Sequence, residues 1–245
     1  MKRLLSLLFA AALLLVTGGS ASADLMNVGG SLRYYDEHGR EAAAIGLDVS
    51  YYNNEIDWKA LKAQGFSFAI VRIGGRGWGT GTMYGDDLTQ GFLRGAREAG
   101  LKIGVYFYSS ARNPAEALEE AQKTLHDLNG MELDLPVFID MELSGDYPAG
   151  RADPLSPMER AKVIETFCRA VQAGGYTAGV YASEAFCRYN VDYEAVTEFP
   201  LWMASYTVDN LLPQYVDGYM IWQQTDSARA GGIDGTFDLD LVLPD

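Results

Sequence analysis

Cysteine and histidine are scarce in this chain of 245 residues, which contains two of each. A zinc site needs three or four ligands at short spacings, and Cys168, Cys187, His38 and His126 do not supply such a set. We therefore predict no metal and no other cofactor, and we place both histidines at the surface. Because an exported chain can form disulfides, a bond between the two cysteines and a pair of buried thiols stay open as alternatives.

Basic residues are also few. The chain has 19 lysines and arginines against 33 aspartates and glutamates, which gives a formal net charge of −14. Nucleic acids and anionic membranes attract proteins through basic patches. The charge balance therefore predicts no nucleic-acid partner.

Long apolar runs are missing beyond the first 23 residues. That first segment places Lys2 and Arg3 before the run LLSLLFAAALLLV and ends in an Ala-x-Ala site, which is typical of a secretory signal cut after Ala23. The run is shorter than the roughly 18 apolar residues of a membrane span. We expect a secreted monomer with no stable membrane insertion after cleavage, and a retained N-terminal anchor is the alternative.

The rest of the chain divides into an arm and one domain. Residues 24–44 show no sustained period and are predicted to form a linker or N-terminal arm. From Ile45 to Asp245, β-branched or aromatic runs alternate with amphipathic stretches, which indicates parallel strands covered by helices. The predicted strands of this part are 45–50, 68–74, 102–109, 136–142 and 178–183. The predicted helices are 56–65, 86–100, 113–130 and 156–175.

The last third of the chain has strands without helices. Runs at 201–206, 219–225 and 236–242 are separated by short segments rich in Gly, Asp and Asn. A parallel crossover usually needs about a dozen residues or more, so at least one of these strands should be antiparallel. Eight strands, five of them in βα units, predict an α/β fold of the modified-barrel type. An open doubly wound sheet is the alternative.

Two acids interrupt the apolar run PVFIDMEL at 136–143. Side chains alternate along a strand, so Asp140 and Glu142 project from one face, at the end where barrels carry their active sites. Burial and mutual repulsion raise the pKa of at least one such carboxyl. A neutral acid beside an ionised one is the pair that cleaves a glycosidic bond. Loop capping and a Mg²⁺ or Ca²⁺ site are the competing interpretations.

Acids also occur near the ends of the first and last strands. Closure of an eight-stranded barrel would place Asp48 beside Asp238, near the fourth strand, where their charge would favour a cationic transition state. A turn or capping role is the alternative for Asp48. Asp240 shares a face with Asp238, so Asp238 is not the only candidate in its strand.

Aromatic and amide side chains gather on the same strands. They suit stacking on sugar rings and hydrogen bonding to hydroxyl or acetamido groups, although core packing is the commoner role of buried aromatics. The predicted substrate-binding residues are Tyr106, Tyr108, Tyr181, Trp202, Tyr206 and Gln224.

The glycine-rich stretch GGRGWGTGT at 74–82 matches neither a P-loop nor a dinucleotide-binding pattern. We interpret it as a mobile loop at the rim of the barrel, in which Trp78 touches substrate.

The ordered segments resemble those of a known family. GLDVSYYNNEIDW, FAIVRIGGRG, LPVFIDMELS, GGYTAGVYAS, MIWQQT and GIDGTFDLDLV follow one another as in family-25 glycoside hydrolases, the Chalaropsis-type lysozymes. The resemblance extends over nearly all of residues 45–242. It implies a (β/α)₅β₃ barrel that hydrolyses the β-1,4 bond between N-acetylmuramic acid and N-acetylglucosamine in bacterial peptidoglycan.

The resemblance also implies roles for the acids. Glu142 corresponds to the general acid, and Asp140 to the residue that guides the substrate's own 2-acetamido group in a retaining reaction. Asp48 and Asp238 correspond to the family's first-strand and late aspartates. One departure is visible, because the family commonly has Asn where this chain has Asp240.

Two other functions are compatible with these residues. A chitinase-like glycosidase would use the same acetamido chemistry, but Leu135 and Phe138 occupy the first two Asp positions of the D-x-x-D-x-D-x-E pattern. A cell-wall glycan-binding barrel without turnover is the second alternative. The retained acids argue against it.

Overall fold

The computed structural model describes residues 24–36, 38–145, 149–206 and 212–244. The predicted secretory signal, residues 1–23, lies outside this part of the chain. The strands are β1 (Asp24–Val28), β2 (Ser31–Tyr35), β3 (Ala44–Val49), β4 (Phe68–Arg76), β5 (Met83–Gly85), β6 (Lys102–Ser109), β7 (Val137–Met141), β8 (Ala178–Ser183), β9 (Leu201–Ala204), β10 (Ile221–Ala228) and β11 (Phe237–Val242). The α-helices are α1 (Trp58–Ala63), α2 (Thr89–Glu98), α3 (Pro114–Leu128), α4 (Pro157–Ala173) and α5 (Glu184–Tyr189).

Eight of the strands close into a barrel. The order around it is β3, β4, β6, β7, β8, β9, β10 and β11, and β11 pairs back to β3. Seven strands run parallel, and β11 is antiparallel to both of its neighbours. Five strands are followed by helices and three are not, so the predicted (β/α)₅β₃ barrel with an antiparallel late strand is confirmed.

Helix boundaries follow the capping residues of the sequence. Ser156 caps α4 with Pro157 at the first helical position, and Glu159 completes a reciprocal capping box. Asn113 caps α3, which ends at Asn129 in the left-handed conformation. These local signals explain why the predicted helices lie within a few residues of the observed ones.

The barrel wall separates two apolar layers. Outward-facing residues such as Val71, Val105 and Ile139 pack against the helices. Inward-facing residues form a second cluster, made of Phe68, Ile70, Tyr106, Phe138, Tyr181, Trp202, Ala204 and Ile221. The interior is therefore filled with side chains, and most polar groups lie above this cluster, at the C-terminal end of the parallel strands. We call this end the mouth.

Residues 24–44, predicted as a linker or arm, contain a β-hairpin. Gly29 and Gly30 both have positive φ, which is the requirement of a two-residue hairpin turn. Tyr34 of this hairpin is 1% exposed and packs edge-on against Trp222, with ring centroids 5.8 Å apart. The arm thus covers the outer face of β10.

Two further features bear on the sequence-based expectations. Cys168 and Cys187 are buried free thiols, and burial raises the pKa of each. Of the disulfide and thiol alternatives, the structure therefore has the thiols. Within the described residues, no helix has the length and apolar character to cross a bilayer.

Candidate active site

The predicted catalytic acids meet at the mouth. Asp48 lies in β3 and Asp140 in β7, and Glu142 follows β7 by one residue. Asp238 lies near the start of β11, which enters the barrel from the mouth because it runs antiparallel, and is in register with Asp48. Barrel closure thus unites residues that are far apart in the sequence.

Asp48 and Asp238 are cross-strand neighbours whose carboxyls affect each other's pKa. Burial raises the pKa of Asp48 well above its usual range, and the charges of Asp240 and Asp238 add to this effect. Burial also raises the pKa of Asp238, to about 6, whereas a hydrogen bond from the Asp48 carboxyl lowers it. Ionisation is therefore disfavoured at both carboxyls, and more strongly at Asp48 than at Asp238.

Asp140 and Glu142 form a second pair. Burial is the main cause that raises the pKa of both carboxyls, and the charge of Glu142 raises that of Asp140 further. The rise is larger for Asp140, because Asp140 is buried whereas Glu142 is only half-buried and lies beside the Tyr181 hydroxyl, which lowers its pKa. Asp140 Oδ1 is buried and has no hydrogen-bond partner among the described residues. Burial therefore favours protonation of this pair, and Asp140 Oδ1 is an acceptor that a ligand can satisfy.

Glu142 opens onto a cavity of about 390 Å³ beside the acid pair. Its wall is made mainly by the ends of β8 and β9 and the start of α5, because Ser183 caps α5 directly above the barrel. The lining residues are Glu142, Tyr181, Ser183, Glu184, Ala185, Ala204, Ser205 and Tyr206. A ligand in this cavity would lie against the carboxyl of Glu142.

One amide connects the two acid pairs. Gln223 Nε2 donates to Asp48 Oδ2 at 2.6 Å. Its Oε1 accepts from the hydroxyls of Tyr181 at 2.8 Å and Tyr206 at 2.5 Å. This position belongs to Gln223, whereas the predicted Gln224 is buried beside it where the register of β10 is irregular. Gln223 follows the inward-facing Ile221 and the outward-facing Trp222, so alternation already turns it inward, and the irregularity begins only after it.

The predicted aromatic residues separate into two groups. Trp202 is 1% exposed, packs against Tyr106 and Tyr181, and donates its indole N–H to Asp240 Oδ1 at 2.7 Å. Its placement differs from the predicted substrate contact, because the indole has almost no surface open to a ligand. Tyr108 is half-buried and Tyr206 is 51% exposed, so these rings remain accessible.

Asp240 lies deeper than Asp238. It is in register with Gly46, one layer below the Asp48–Asp238 pair, and is fully buried. Asp238 is therefore the aspartate of β11 that faces the mouth.

Arg72 is a site residue that the sequence analysis missed. It follows Phe68 and Ile70 on the inward face of β4, and that alternation was the available signal. Arg72 Nε contacts Asp86 Oδ2 at 3.2 Å, and the guanidinium lies 4.5 Å from the Tyr51 ring centroid. Its charge lowers the pKa of Asp140, against the effect of burial.

Metal coordination has no structural support in the described part of the chain. There, no group of three His, Cys, Asp or Glu side chains has an arrangement that could hold an ion.

Sequence comparisons identify relatives of the barrel. A model of the glycosyl hydrolases family 25 matches residues 47–233. The autolytic lysozyme of Clostridium acetobutylicum is 30% identical over 196 residues, which cover 80% of this chain and 54% of that protein. Lysozyme M1 of Streptomyces globisporus is 25% identical over 204 residues, which cover 79% of this chain and 65% of that protein. The chain thus spans only part of the length of these relatives.

Solved structures share the same fold. The modular autolysin LytC of Streptococcus pneumoniae superposes with a TM-score of 0.74 at 22% identity, over 89% of this chain and 52% of that one. The bacterial lysozyme of Streptomyces coelicolor gives a TM-score of 0.66 at 23% identity, over 81% and 91%. Because the family model covers most of the chain and the barrel agrees with it, this chain belongs to the glycosyl hydrolases family 25.

Proposed function

We propose that the protein is a secreted muramidase that cleaves the β-1,4 bond between N-acetylmuramic acid and N-acetylglucosamine in peptidoglycan. The observation that carries the proposal is the buried Asp140–Glu142 pair with raised pKa values, in a mouth that also holds the Asp48–Asp238 pair. Family membership and the lysozyme relatives support it, as does a LytC structure described with a synthetic peptidoglycan ligand.

In this proposal Glu142 is the proton donor. It protonates the glycosidic oxygen as the bond to the anomeric carbon breaks, and the carbonyl oxygen of the 2-acetamido group attacks that carbon. Water then opens the cyclic intermediate, with Glu142 as the base that takes its proton. The acetamido oxygen attacks opposite the leaving group and water attacks from the original face, so two inversions give net retention of configuration.

Asp140 accepts the acetamido N–H in this scheme. Its Oδ1 is buried without a partner, so the substrate's N–H would satisfy it and stabilise the ionised form. In the free protein Asp140 has the larger rise in pKa. Substrate binding, together with the charge of Arg72, then shifts the shared proton toward Glu142, where the leaving oxygen needs it.

The remaining predicted residues have supporting roles. Asp48 and Asp238 place negative charge beside the developing oxocarbenium ion. Tyr108, Tyr181 and Tyr206 contact the sugars, and we assign Trp202 and Tyr106 to holding the floor of the site. The substrate partner is the glycan strand of the wall.

Replacement of Glu142 tests the function directly. Glu142→Gln keeps the shape but cannot supply a proton, so we expect release of reducing sugar from purified bacterial walls to fall by at least about 10²-fold. Circular dichroism and the melting temperature should stay close to those of the parent.

Mass analysis of the fragments identifies the bond. Reducing N-acetylmuramic acid ends support a muramidase. Cleavage of chitin oligomers in preference to walls would instead favour a chitinase-like enzyme, and tight wall binding without any cleavage would favour a binding barrel.

A further inference from the structure

The β4–β5 hairpin carries an exposed tryptophan above the mouth. β4 runs for nine residues to Arg76 and pairs there with β5, and Gly77 N–H closes the turn by donating to Thr82 O at 2.9 Å. Trp78 lies in this turn and is 39% exposed. The other three tryptophans of the chain, Trp58, Trp202 and Trp222, are buried.

Arg151 holds this turn in place. Its backbone N–H donates to Trp78 O at 2.8 Å, and its guanidinium makes a two-pronged contact with Glu116 of α3, with both distances 2.8 Å. The hydrogen bonds from Arg151 lower the pKa of Glu116 to about 2, so the pair is ionised at working pH. The guanidinium also lies where a Cβ on Gly81 would be, which explains a glycine there.

Arg76 fixes the base of the same hairpin. It is buried and contacts Glu120 Oε1 at 2.7 Å and Glu119 Oε2 at 2.9 Å, both on α3. It also donates to Gly81 O at 3.1 Å, inside the turn. Two arginines thus attach the hairpin to one helix, and the stretch predicted to be a mobile loop is held by charged hydrogen bonds.

The contacts of Arg151 also connect the hairpin to the segment that follows Glu142. Arg151 belongs to the segment between β7 and α4, which begins with Glu142. Ser144 donates to both carboxylate oxygens of Asp153, from its backbone N to Oδ1 at 3.1 Å and from its Oγ to Oδ2 at 2.7 Å. These bonds hold Ser144, near the start of the segment, close to Asp153, near its end. Arg151 lies between those ends. The position of Trp78 is therefore set relative to Glu142.

We propose that Trp78 is a stacking platform for a sugar ring of the glycan strand, and that Arg151 is the residue that positions it. The inference rests on the proposed function, since it needs a glycan to lie along the mouth. A strand that reaches Glu142 lies next to the hairpin, because Arg151 joins Trp78 to the segment that follows Glu142. The apolar face of a pyranose matches an exposed indole, as it does other aromatic platforms.

Solute quenching of tryptophan fluorescence tests the contact without turnover. Trp78 is the exposed tryptophan, so acrylamide quenching of the Glu142→Gln protein reports mainly on it. We expect soluble peptidoglycan oligomers to protect this fluorescence, and the Glu142→Gln/Trp78→Ala protein to bind them about five- to tenfold more weakly. Met220→Ala is the matched control, because Met220 is 38% exposed but lines a cavity at the opposite end of the barrel.

Kinetics of the active protein test the role of Arg151. Trp78→Ala should raise KM on walls with kcat little changed, and Arg151→Ala should do the same. The double variant should be no worse than Trp78→Ala alone, because Arg151 acts through Trp78. Arg151→Lys should not restore KM, since an ammonium cannot make the two-pronged contact. Glu116→Gln repeats the test with less change in shape if Arg151→Ala does not fold.

The outcomes separate this inference from the proposed function. Binding of oligomers with unchanged quenching, or additive effects in the double variant, would overturn the inference even if the enzyme is active. An unmodified protein that releases no reducing ends, but whose Trp78 is protected by oligomers, would overturn the hydrolase and leave the sugar platform in place.

Discussion

At the scale of single residues, a buried cation and several buried acids share one small volume. Arg72 approaches the mouth from β4, held by Asp86 on one side and the Tyr51 ring on another. Its Nη2 is buried and lacks a hydrogen-bond partner in the described residues. Its charge is therefore available to the acids, and it lowers the pKa of Asp140.

Arg72→Met should change the pH dependence of the reaction. Without the cation, the pKa of Asp140 rises further, and the ionised form needed to guide the acetamido group appears only at higher pH. We expect the acidic limb of the kcat/KM profile to move to higher pH. Arg72→Lys keeps the charge and should keep the limb close to that of the parent. Identical limbs for all three proteins would show that Arg72 does not act on Asp140.

The fold of Arg72→Met should survive, because Asp86 has other partners. Its carboxylate also accepts the backbone N–H groups of Tyr51 at 2.9 Å and Leu88 at 3.1 Å. Carbon-13 shifts of labelled carboxyls would report the titration of Asp140 independently of activity.

At the scale of elements, two β-hairpins pack on the barrel at different places and have different roles. The β4–β5 hairpin stands at the mouth, where it is attached to α3 by Arg76. The β1–β2 hairpin packs on the outer face of β10 through Tyr34. Its backbone is also joined to α1 by the Leu32 N–H donating to Gln64 O at 2.6 Å. The β1–β2 hairpin therefore contributes to stability and lies away from the acids.

Tyr34→Ala should destabilise the protein without altering its chemistry. Removal of a fully buried aromatic side chain from a packed site typically costs about 3–5 kcal/mol. We expect a matching fall in the free energy of urea-induced unfolding. Tyr35→Ala is the internal control, because the neighbouring ring lies on the opposite, more exposed face of β2. A KM or pH profile that changes in Tyr34→Ala would argue against a purely structural role.

Short elements are the ones that sequence patterns predicted least well. The six-residue α5 makes fewer than two helical turns, and the three-residue β5 is defined by its pairing with β4. Neither is long enough to show a period. The Gly29–Gly30 turn, however, is a hairpin signal that was present in the sequence.

At the scale of the whole molecule, buried acids make stability depend on pH. Burial raises the pKa of Asp48, Asp140 and Asp240 well above the usual range, and that of Glu120 to about 7. Between the ordinary and the raised pKa, the folded chain holds protons that the unfolded chain has released. The free energy of unfolding should therefore fall as pH rises from about 4 toward and beyond neutrality.

Asp240→Asn should stabilise the protein at neutral pH and weaken this dependence. The amide oxygen can still accept the Trp202 indole N–H. The amide has no ionised form, so the cost of burying a carboxylate at this position is removed. Each unit by which the pKa is raised corresponds to about 1.4 kcal/mol, so the gain should be easily measured. Melting temperatures from pH 5 to 8 provide the measurement, with the exposed Asp217→Asn as control. Equal slopes for parent and variant would contradict the explanation.

The sequence by itself determined the barrel and the identity of its acids. Alternation and capping signals at residues such as Ser156 are local, and two acids in PVFIDMEL share a face through strand geometry alone. The tertiary structure decided the rest, because closure is what pairs Asp238 with Asp48 and separates it from the deeper Asp240. Likewise, only packing showed that Trp202 forms the floor and that the Gln223 amide contacts Asp48. Alternation turns Arg72 inward, but only barrel closure brings its charge near Asp140, because contacts between distant segments leave no local pattern. The Arg151 N–H donating to Trp78 O is another such contact.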